Sequence, residues 1–403
     1  MESDPNTQAN HNPEHNLTAK WVRHEMNGRE KIAAALSAQG TGEIPAVICY
    51  EDIYIRDHWP QLTASPWWDA LSPDIERQMC WRREVITKTG QDWFVLPAFY
   101  SREERRSLRL DVRADGVYRY DRRDGKPERL AEPRIGGWSA VGQPESTRPI
   151  RLATGYEEIA ALVPAPEPMD HDGCPDDGRE DLAARLMTEC GESLYPFCHV
   201  SSPLWRGYSL WGFEGLMLMI ARRPDAVRYA CERFLAQSLG AVRDAAARGA
   251  AGIWIEECMT DMISPQDFRA LNLPFLRPLV EEIRGLGMQS IYYYCGNPGD
   301  RWGEILSSGA DALSLEESKK GFIIDINEVV DRVQGHMAVL GNLDAIELLP
   351  HAREDALRAE ICRQIAAGRR NRGRFVMSLG SPVTPGTSVD RVRLYCDLVH
   401  ALG

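Results

Sequence analysis

From Gly178 onward the sequence alternates with few interruptions. A helical pattern at 179–190 leads to "YPFCHV", helices across 212–222 and 224–248 lead to "AGIWIEE", and a helix at 264–286 leads to "MQSIYYY". Helices near 300–308, 325–334 and 352–368 then precede "DALSLE", "MAVLGN" and "RFVMSLG", and a last helix starts at Ser388. Strands separated by helices cannot pair as hairpins. They pair in parallel, with the crossover helices packed outside the sheet. Two upstream runs, "IPAVICY" at 44–50 and "DWFVLPAF" at 92–99, add strands. Flanking helices are predicted at 26–39, closed by Gly40, and at 72–90, with a Ser72 cap, Pro73 in the first turn and Gly90 at the end. About eight β/α units predict an α/β fold of the (β/α)8 TIM type. An open doubly wound sheet is the alternative, but no G-x-G-x-x-G turn follows any of these strands.

Between the second strand and the regular half the texture changes. "RSLRLDVRADGVYRYDRRDGKPERLAEPRIGG" alternates apolar with charged residues around Ala-Asp-Gly and Arg-Asp-Gly turns, which predicts an antiparallel β-hairpin insertion over 107–150. A Pro- and Asp-rich loop at 164–178 follows it. The polar residues 1–24 are expected to form a flexible tail, leaving 25–403 as the barrel. That tail has no hydrophobic segment of the secretory kind. No apolar run approaches the roughly 18 residues that span a bilayer, so a cytoplasmic protein without membrane contact is expected. A net charge of −12 argues against nucleic-acid binding, which needs a basic surface. The ten cysteines form no C-x-x-C pair, which fits free thiols in a reducing compartment.

In a parallel barrel, functional side chains gather at the carboxyl ends of the strands. Those ends here read Tyr50-Glu51-Asp52, Leu96-Pro97, His199 with Ser201-Ser202, Glu256-Glu257-Cys258, Tyr293-Tyr294-Cys295-Gly296-Asn297, Glu316-Glu317, Gly341-Asn342 and Ser378 with Ser381. Cys295 is either a packed thiol or a soft ligand, able with Glu257 to hold a metal. Glu256 and Glu257 are neighbours on a strand, so one faces the barrel interior and the other the helices. Both faces carry apolar residues upstream, so periodicity alone does not choose between them. His199 is a core histidine or a catalytic acid/base, with Tyr208 a second proton-carrying candidate. Tyr50, Glu51, His58, Trp205, Asn297 and Asn342 are candidate substrate-binding residues, as members of the strand-end, Arg56-Asp57-His58-Trp59 and Trp205/Tyr208/Trp211 clusters.

Several of these segments together resemble the uroporphyrinogen decarboxylase superfamily, which also contains corrinoid-dependent methyltransferases. The carriers are "GREKIAAALSAQGTGEIPAVI", "VSSPLWRGYSLWGFEGLMLMIARRPDAV", "ISPQDFRALNLPFLRPLVEEIRGLG", "YYYCGN", "GADALSLEE", "VLGNLDA" and "FVMSLGSPVTPGTSVDRV", in the family's order over 25–403. The resemblance implies a (β/α)8 barrel. Porphyrinogen decarboxylases carry an arginine-rich stretch after the first strand, where this chain reads "CYEDIYIRDHWP". They carry an aspartate after the next strand, replaced here by Leu96-Pro97, and a histidine near the chain end, replaced by Ser381. Propionates beside Glu51 and Asp52 would be repelled.

The family's zinc methyltransferases use a His-x-Cys pair and a distant second cysteine. Cys295 matches the first cysteine, Tyr293 stands at the histidine and Ser381 at the second cysteine, so zinc would need Glu257 and His199 to complete its shell. No Asp-x-His-x-x-Gly cobalamin signature occurs, so any corrinoid would arrive on a separate partner protein. The leading expectation is a corrinoid-linked methyltransferase acting on a small methoxylated or methylated substrate. Alternatives are a lyase for a small carboxylated substrate, using His58, His199 or Tyr208 as proton donor, and a non-catalytic barrel.

Overall fold

A computed structural model describes residues 25–123, 125–137, 152–166, 177–258, 260–319 and 321–403. The expected tail at 1–24, the end of the insertion, most of the Pro/Asp-rich loop and Cys174 lie outside them. Seven parallel strands form one sheet in the order β1 (Trp93–Val95), β5 (Tyr195–Ser201), β6 (Gly252–Glu257), β7 (Gln289–Tyr294), β8 (Ala312–Leu315), β9 (Ala338–Leu340) and β10 (Phe375–Val376). The expected first strand fills the eighth position without becoming a regular strand. Ala46 bridges Met377 in parallel, with Met377 N–H donating to the Pro45 carbonyl and Val47 N–H to that of Met377, both at 2.9 Å. On its other side Asp92 N–H donates to Ala46 O at 2.9 Å. Side chains then replace the missing ladder, because Asp92 Oδ2 accepts from Ala46 N–H at 2.7 Å and Gln91 Oε1 from Ile48 N–H at 3.1 Å. Pro45 has no N–H to give a ladder, which is one reason the segment stays irregular.

The helix boundaries depart from expectation for identifiable reasons. The helix expected over 72–90 is Ile75–Thr89; Asp74, not Ser72, caps it by accepting from Glu76 and Arg77 N–H. The helix expected over 264–286 is two, Pro265–Leu271 and Leu273–Gly285, divided at Asn272 where Pro274 withholds its N–H. The helix expected at 212–222 starts earlier, at Pro203, capped by Ser202, and kinks at Gly212, whose φ of 69° suits glycine. An additional helix, Glu51–Leu62, leaves the eighth barrel position directly. Among the described residues no helix is long and apolar enough to cross a membrane.

The insertion is a three-stranded antiparallel sheet of β2 (Leu108–Arg113), β3 (Gly116–Asp121) and β4 (Pro127–Leu130). It is tied to the barrel by part of the Arg56-to-Trp59 cluster. Asp57 accepts from Gly137 N–H at 2.6 Å and from Gly136 N–H at 3.4 Å, and Arg56 pairs with Asp57 at 2.9 Å while donating to the Gly137 carbonyl. This holds residues 132–137 against the barrel mouth.

Asp92 is the keystone of closure, and His400 Nε2 lies 2.7 Å from the same Oδ2. Asp92→Ala strands a buried amide, a defect that costs about 1–3 kcal/mol. Urea unfolding of Asp92→Ala is expected to show a loss of about 2 kcal/mol, with Asp92→Asn losing less because an acceptor oxygen remains. An Ala variant as stable as the parent would show that the barrel closes by other means.

Candidate active site

Parallel strands that are buried on both faces still alternate their side chains, and the pairing register assigns each face. Ser201 pairs with Glu256, and Glu256 with Tyr293, so these share one face with His199, Trp254 and Cys295. That face is the barrel interior. Its lower layer is an aromatic plug: Trp93 stacks on Phe197 at 4.1 Å, Trp254 on Tyr293 at 5.2 Å, and Tyr50 meets Tyr293 edge-on at 5.4 Å. Tyr50 adopts φ 52° and ψ 54°, a left-handed conformation uncommon for a tyrosine, as the residue capping the helix Glu51–Leu62. Its hydroxyl lies 3.9 Å from Cys258 Sγ.

Above the plug a cavity of about 2080 Å³ opens at the carboxyl ends of the strands. Tyr50, Glu51, His199, Trp205, Tyr208, Cys295 and Asn297 all line it, so seven of the expected site residues converge there. Three do not. Glu257 points outward, fully buried, and accepts from Asn272 Nδ2 beneath the helices. Burial lifts its carboxyl to about 8, against the opposing pull of Ser202 and Asn272. Asn342 is buried and spends its amide on the carbonyls of Glu316 at 3.1 Å and Ile324 at 2.9 Å, clamping the loop after β8. His58 is fully buried, with Nδ1 3.0 Å from the Tyr54 carbonyl and its ring against Tyr54. One turn along its helix from Tyr54, it packs into the core instead of facing the mouth.

The cavity has electrostatics of its own. His199 lies deep in it, yet its ring is open to the solvent that fills it. Surrounding protein pushes its pKa down, while Asp52 pulls it up. Glu256 is raised by burial and by the Asp52 charge, opposed by hydrogen bonding with Tyr50, Ser201 and Trp205. Burial lifts Glu51 to about 7, with Arg82 resisting. Trp205 and Tyr208 stack on each other at 4.7 Å with an interplanar angle of 13°, each covering one face of the other, and the pair forms part of the cavity wall.

Four cavity residues escaped the sequence-based candidate set. Asp52 was visible only as part of the acidic run, and Glu256 only as half of an undecided pair. Cys258 follows Glu257 at the strand end and is hydrogen-bonded with Cys295, which raises its pKa together with burial. Lys319 is the least expected. Its ammonium lies 2.5 Å from Glu316 Oε1, 2.6 Å from Ser381 Oγ and 3.8 Å from Glu317 Oε1. Burial works against its charge, but Glu317, Glu316 and Cys295 outweigh burial and raise its pKa.

Zinc does not fit this arrangement. Its expected donors are split, because Glu257 faces the helices while Cys295 and His199 face the cavity. Among the described residues no group of three or more His, Cys, Asp or Glu side chains is arranged to hold a metal. An ammonium already binds Ser381, the residue standing at the family's second cysteine.

A closed β/α barrel with its polar groups at the carboxyl-end mouth defines an enzyme-type scaffold. The family model for uroporphyrinogen decarboxylase matches residues 185–402, and the chain belongs to that family. It is 26% identical over 190 residues to a uroporphyrinogen decarboxylase of Anaeromyxobacter sp. (strain Fw109-5), covering 47% of this chain and 52% of that one. To the enzyme of the same name from Pseudomonas fluorescens (strain SBW25) it is 27% identical over 268 residues, covering 64% and 72%. The chain thus spans about half the length of the first of these relatives. In fold it is similar to a methyltransferase from Methanosarcina mazei, with a TM-score of 0.60 at 14% identity over 93% of this chain and 98% of that one.

The raised Glu257 carboxyl makes a stability prediction. Its folded pKa of about 8 exceeds the ordinary carboxylate value, so its neutral form stabilises the fold fully at low pH. That contribution is lost as pH rises toward and through about 8. Glu257→Gln keeps the shape without the charge and is expected to flatten stability between about pH 5 and 8, gaining on the parent by a few kcal/mol at the alkaline end. Parallel unfolding curves for the two proteins across that range would contradict a buried neutral Glu257.

Proposed function

We propose that this chain is a methyl-transferring enzyme of the uroporphyrinogen decarboxylase family, working with a corrinoid carried by a separate protein. The observation that carries this reading is the lining of the cavity. Glu51, Asp52 and Glu256 face it; of its cations, Arg56 pairs with Asp57 and Lys319 with Glu316, Arg206 donates to Gln237 at 2.6 Å, and Arg82 donates to Gln78 at 3.4 Å with its Nε unpartnered. The Asp52 charge disfavours a polycarboxylate such as a porphyrinogen beside it. The volume also exceeds the roughly 300–1,000 Å³ of an ordinary small-molecule pocket, which leaves space for the face of a macrocycle above a small substrate. When bound, a reduced corrinoid supplies a cobalt nucleophile that accepts a methyl group.

The chain's own residues would do the rest. The Trp205–Tyr208 wall and the aromatic plug hold the substrate and keep water from the transferring carbon. Glu256, whose pKa burial and the Asp52 charge raise, lines the cavity, where it can give a proton to a leaving oxygen or sulfur of a substrate. The small-molecule substrate and the corrinoid protein are the partners this reading calls for. No metal-dependent step belongs to it, because the donor set does not suit one.

A decarboxylase reading draws on the names of the curated relatives, with His199 as the proton donor to a carbanion. It meets the same repulsion from Asp52. Incubation with cob(I)alamin and a panel of methyl donors separates the two. Methyl transfer should appear as a change in the cobalamin spectrum, and with an ether or thioether donor, whose leaving group takes a proton, Glu256→Gln should slow it by about 10²-fold, the usual weight of a positioned acid. Carbon dioxide release from carboxylated substrates, with no spectral change for any donor, would favour the lyase instead.

A further inference from the structure

We infer that the cavity takes an organic cation bearing methyl groups, a quaternary ammonium or a sulfonium, seated between the Trp205–Tyr208 wall and the carboxylates of the mouth. Three independent features lead there. Two cavity acids, Glu51 at 6% and Glu316 at 3% exposure, each keep one buried carboxylate oxygen, Oε2, without a hydrogen-bond partner. Such oxygens are costly unless something positive or donating meets them. Asp52 stands at the cavity wall within electrostatic reach of Glu51, Glu256 and His199, and no hydrogen bond or ion pair engages it among the described residues. The third feature is the stacked Trp205–Tyr208 pair in the cavity lining, whose outer ring face carries the negative quadrupole that recognises quaternary ammonium groups.

The misfit of zinc points the same way. A Lewis acid serves a methyl donor whose leaving oxygen or sulfur would otherwise depart as an anion. An onium carries its own activation. The C–N or C–S bond breaks, its electron pair stays on the heteroatom, and a neutral amine or thioether departs. The methyl carbon forms its new bond with the electron pair of the nucleophilic acceptor, and no proton moves. Lys319 at the place of the family's metal is compatible with such a donor, because Glu316 and Glu317 hold its charge and the remaining acids stay available.

This inference rests on the cavity being a substrate site, as in the reading above, but its test does not require turnover. Calorimetric titration of the full chain would compare (2-hydroxyethyl)trimethylammonium with its neutral isostere 3,3-dimethylbutan-1-ol and with the anion 3,3-dimethylbutanoate. The cation is expected to bind at least about tenfold more tightly than the neutral alcohol, and the anion not measurably. Asp52→Asn, at an exposed position, and Trp205→Phe, which keeps an aromatic face, should each weaken the cation alone, by about tenfold and a few-fold. Their melting temperatures serve as the folding control. Equal binding of cation and alcohol, or preference for the anion, overturns the inference. Cation binding without methyl transfer to cob(I)alamin would sink the methyltransferase reading while leaving the inference standing; transfer from a neutral aryl ether with no cation binding does the reverse.

Discussion

The two-residue period of a β-strand governs everything at this barrel mouth. Once β6 pairs with β7 in the observed register, Trp254 and Glu256 face inward with Tyr293 and Cys295, and Glu257, Tyr292 and Tyr294 are sent outward. A one-residue slip would exchange the two sets, placing a neutral, helix-clamped acid in the cavity and burying Cys295 under the helices. The aromatic plug makes that slip costly, since Trp93, Phe197, Trp254 and Tyr293 fill the interior at contacts of 4.1 to 5.6 Å. Fold and site are therefore specified by the same pleat.

The acids of the site follow two different rules. Glu257 is fully buried, and desolvation, helped by the Glu256 charge, outweighs its hydrogen bonds and makes it a carboxylic acid near neutral pH. Burial also raises Glu51, which the Arg82 charge resists, and Glu256, which hydrogen bonding with Tyr50, Ser201 and Trp205 resists. Lys319 shows the complementary case, a half-buried ammonium kept charged by two glutamates at the end of β8. The result is a mouth in which Arg56 and Lys319 are paired with acids, while Arg82 Nε and several carboxylate oxygens have no hydrogen-bond partner.

Much of this was legible in the residues. The strand–helix alternation, the family motifs and the strand-end positions of Tyr50, Glu51, His199, Cys295 and Asn297 all led to one cavity. The choice between Glu256 and Glu257 was not legible, because a strand buried on both faces shows apolar residues at Ile253, Trp254 and Ile255 alike. Asn342 was misread because its partners are backbone carbonyls of a loop, which leave no trace in side-chain pattern. His58 belongs to a helix that begins at Glu51 with no hydroxyl or amide cap to announce it. Lys319 depends on the turn that bridges it to Phe322, a geometry no periodicity records.

Residue orientation on β6 can be read directly by thiol accessibility. Glu256→Cys and Glu257→Cys, each compared with the parent chain, would be exposed under native conditions to a small cationic methanethiosulfonate reagent, with the modified residue located by mass spectrometry. The account predicts rapid modification at position 256 and protection at position 257 until the protein unfolds. Modification at 257 with protection at 256 would mean that the opposite face of the strand lines the cavity, and the site described here would be wrong.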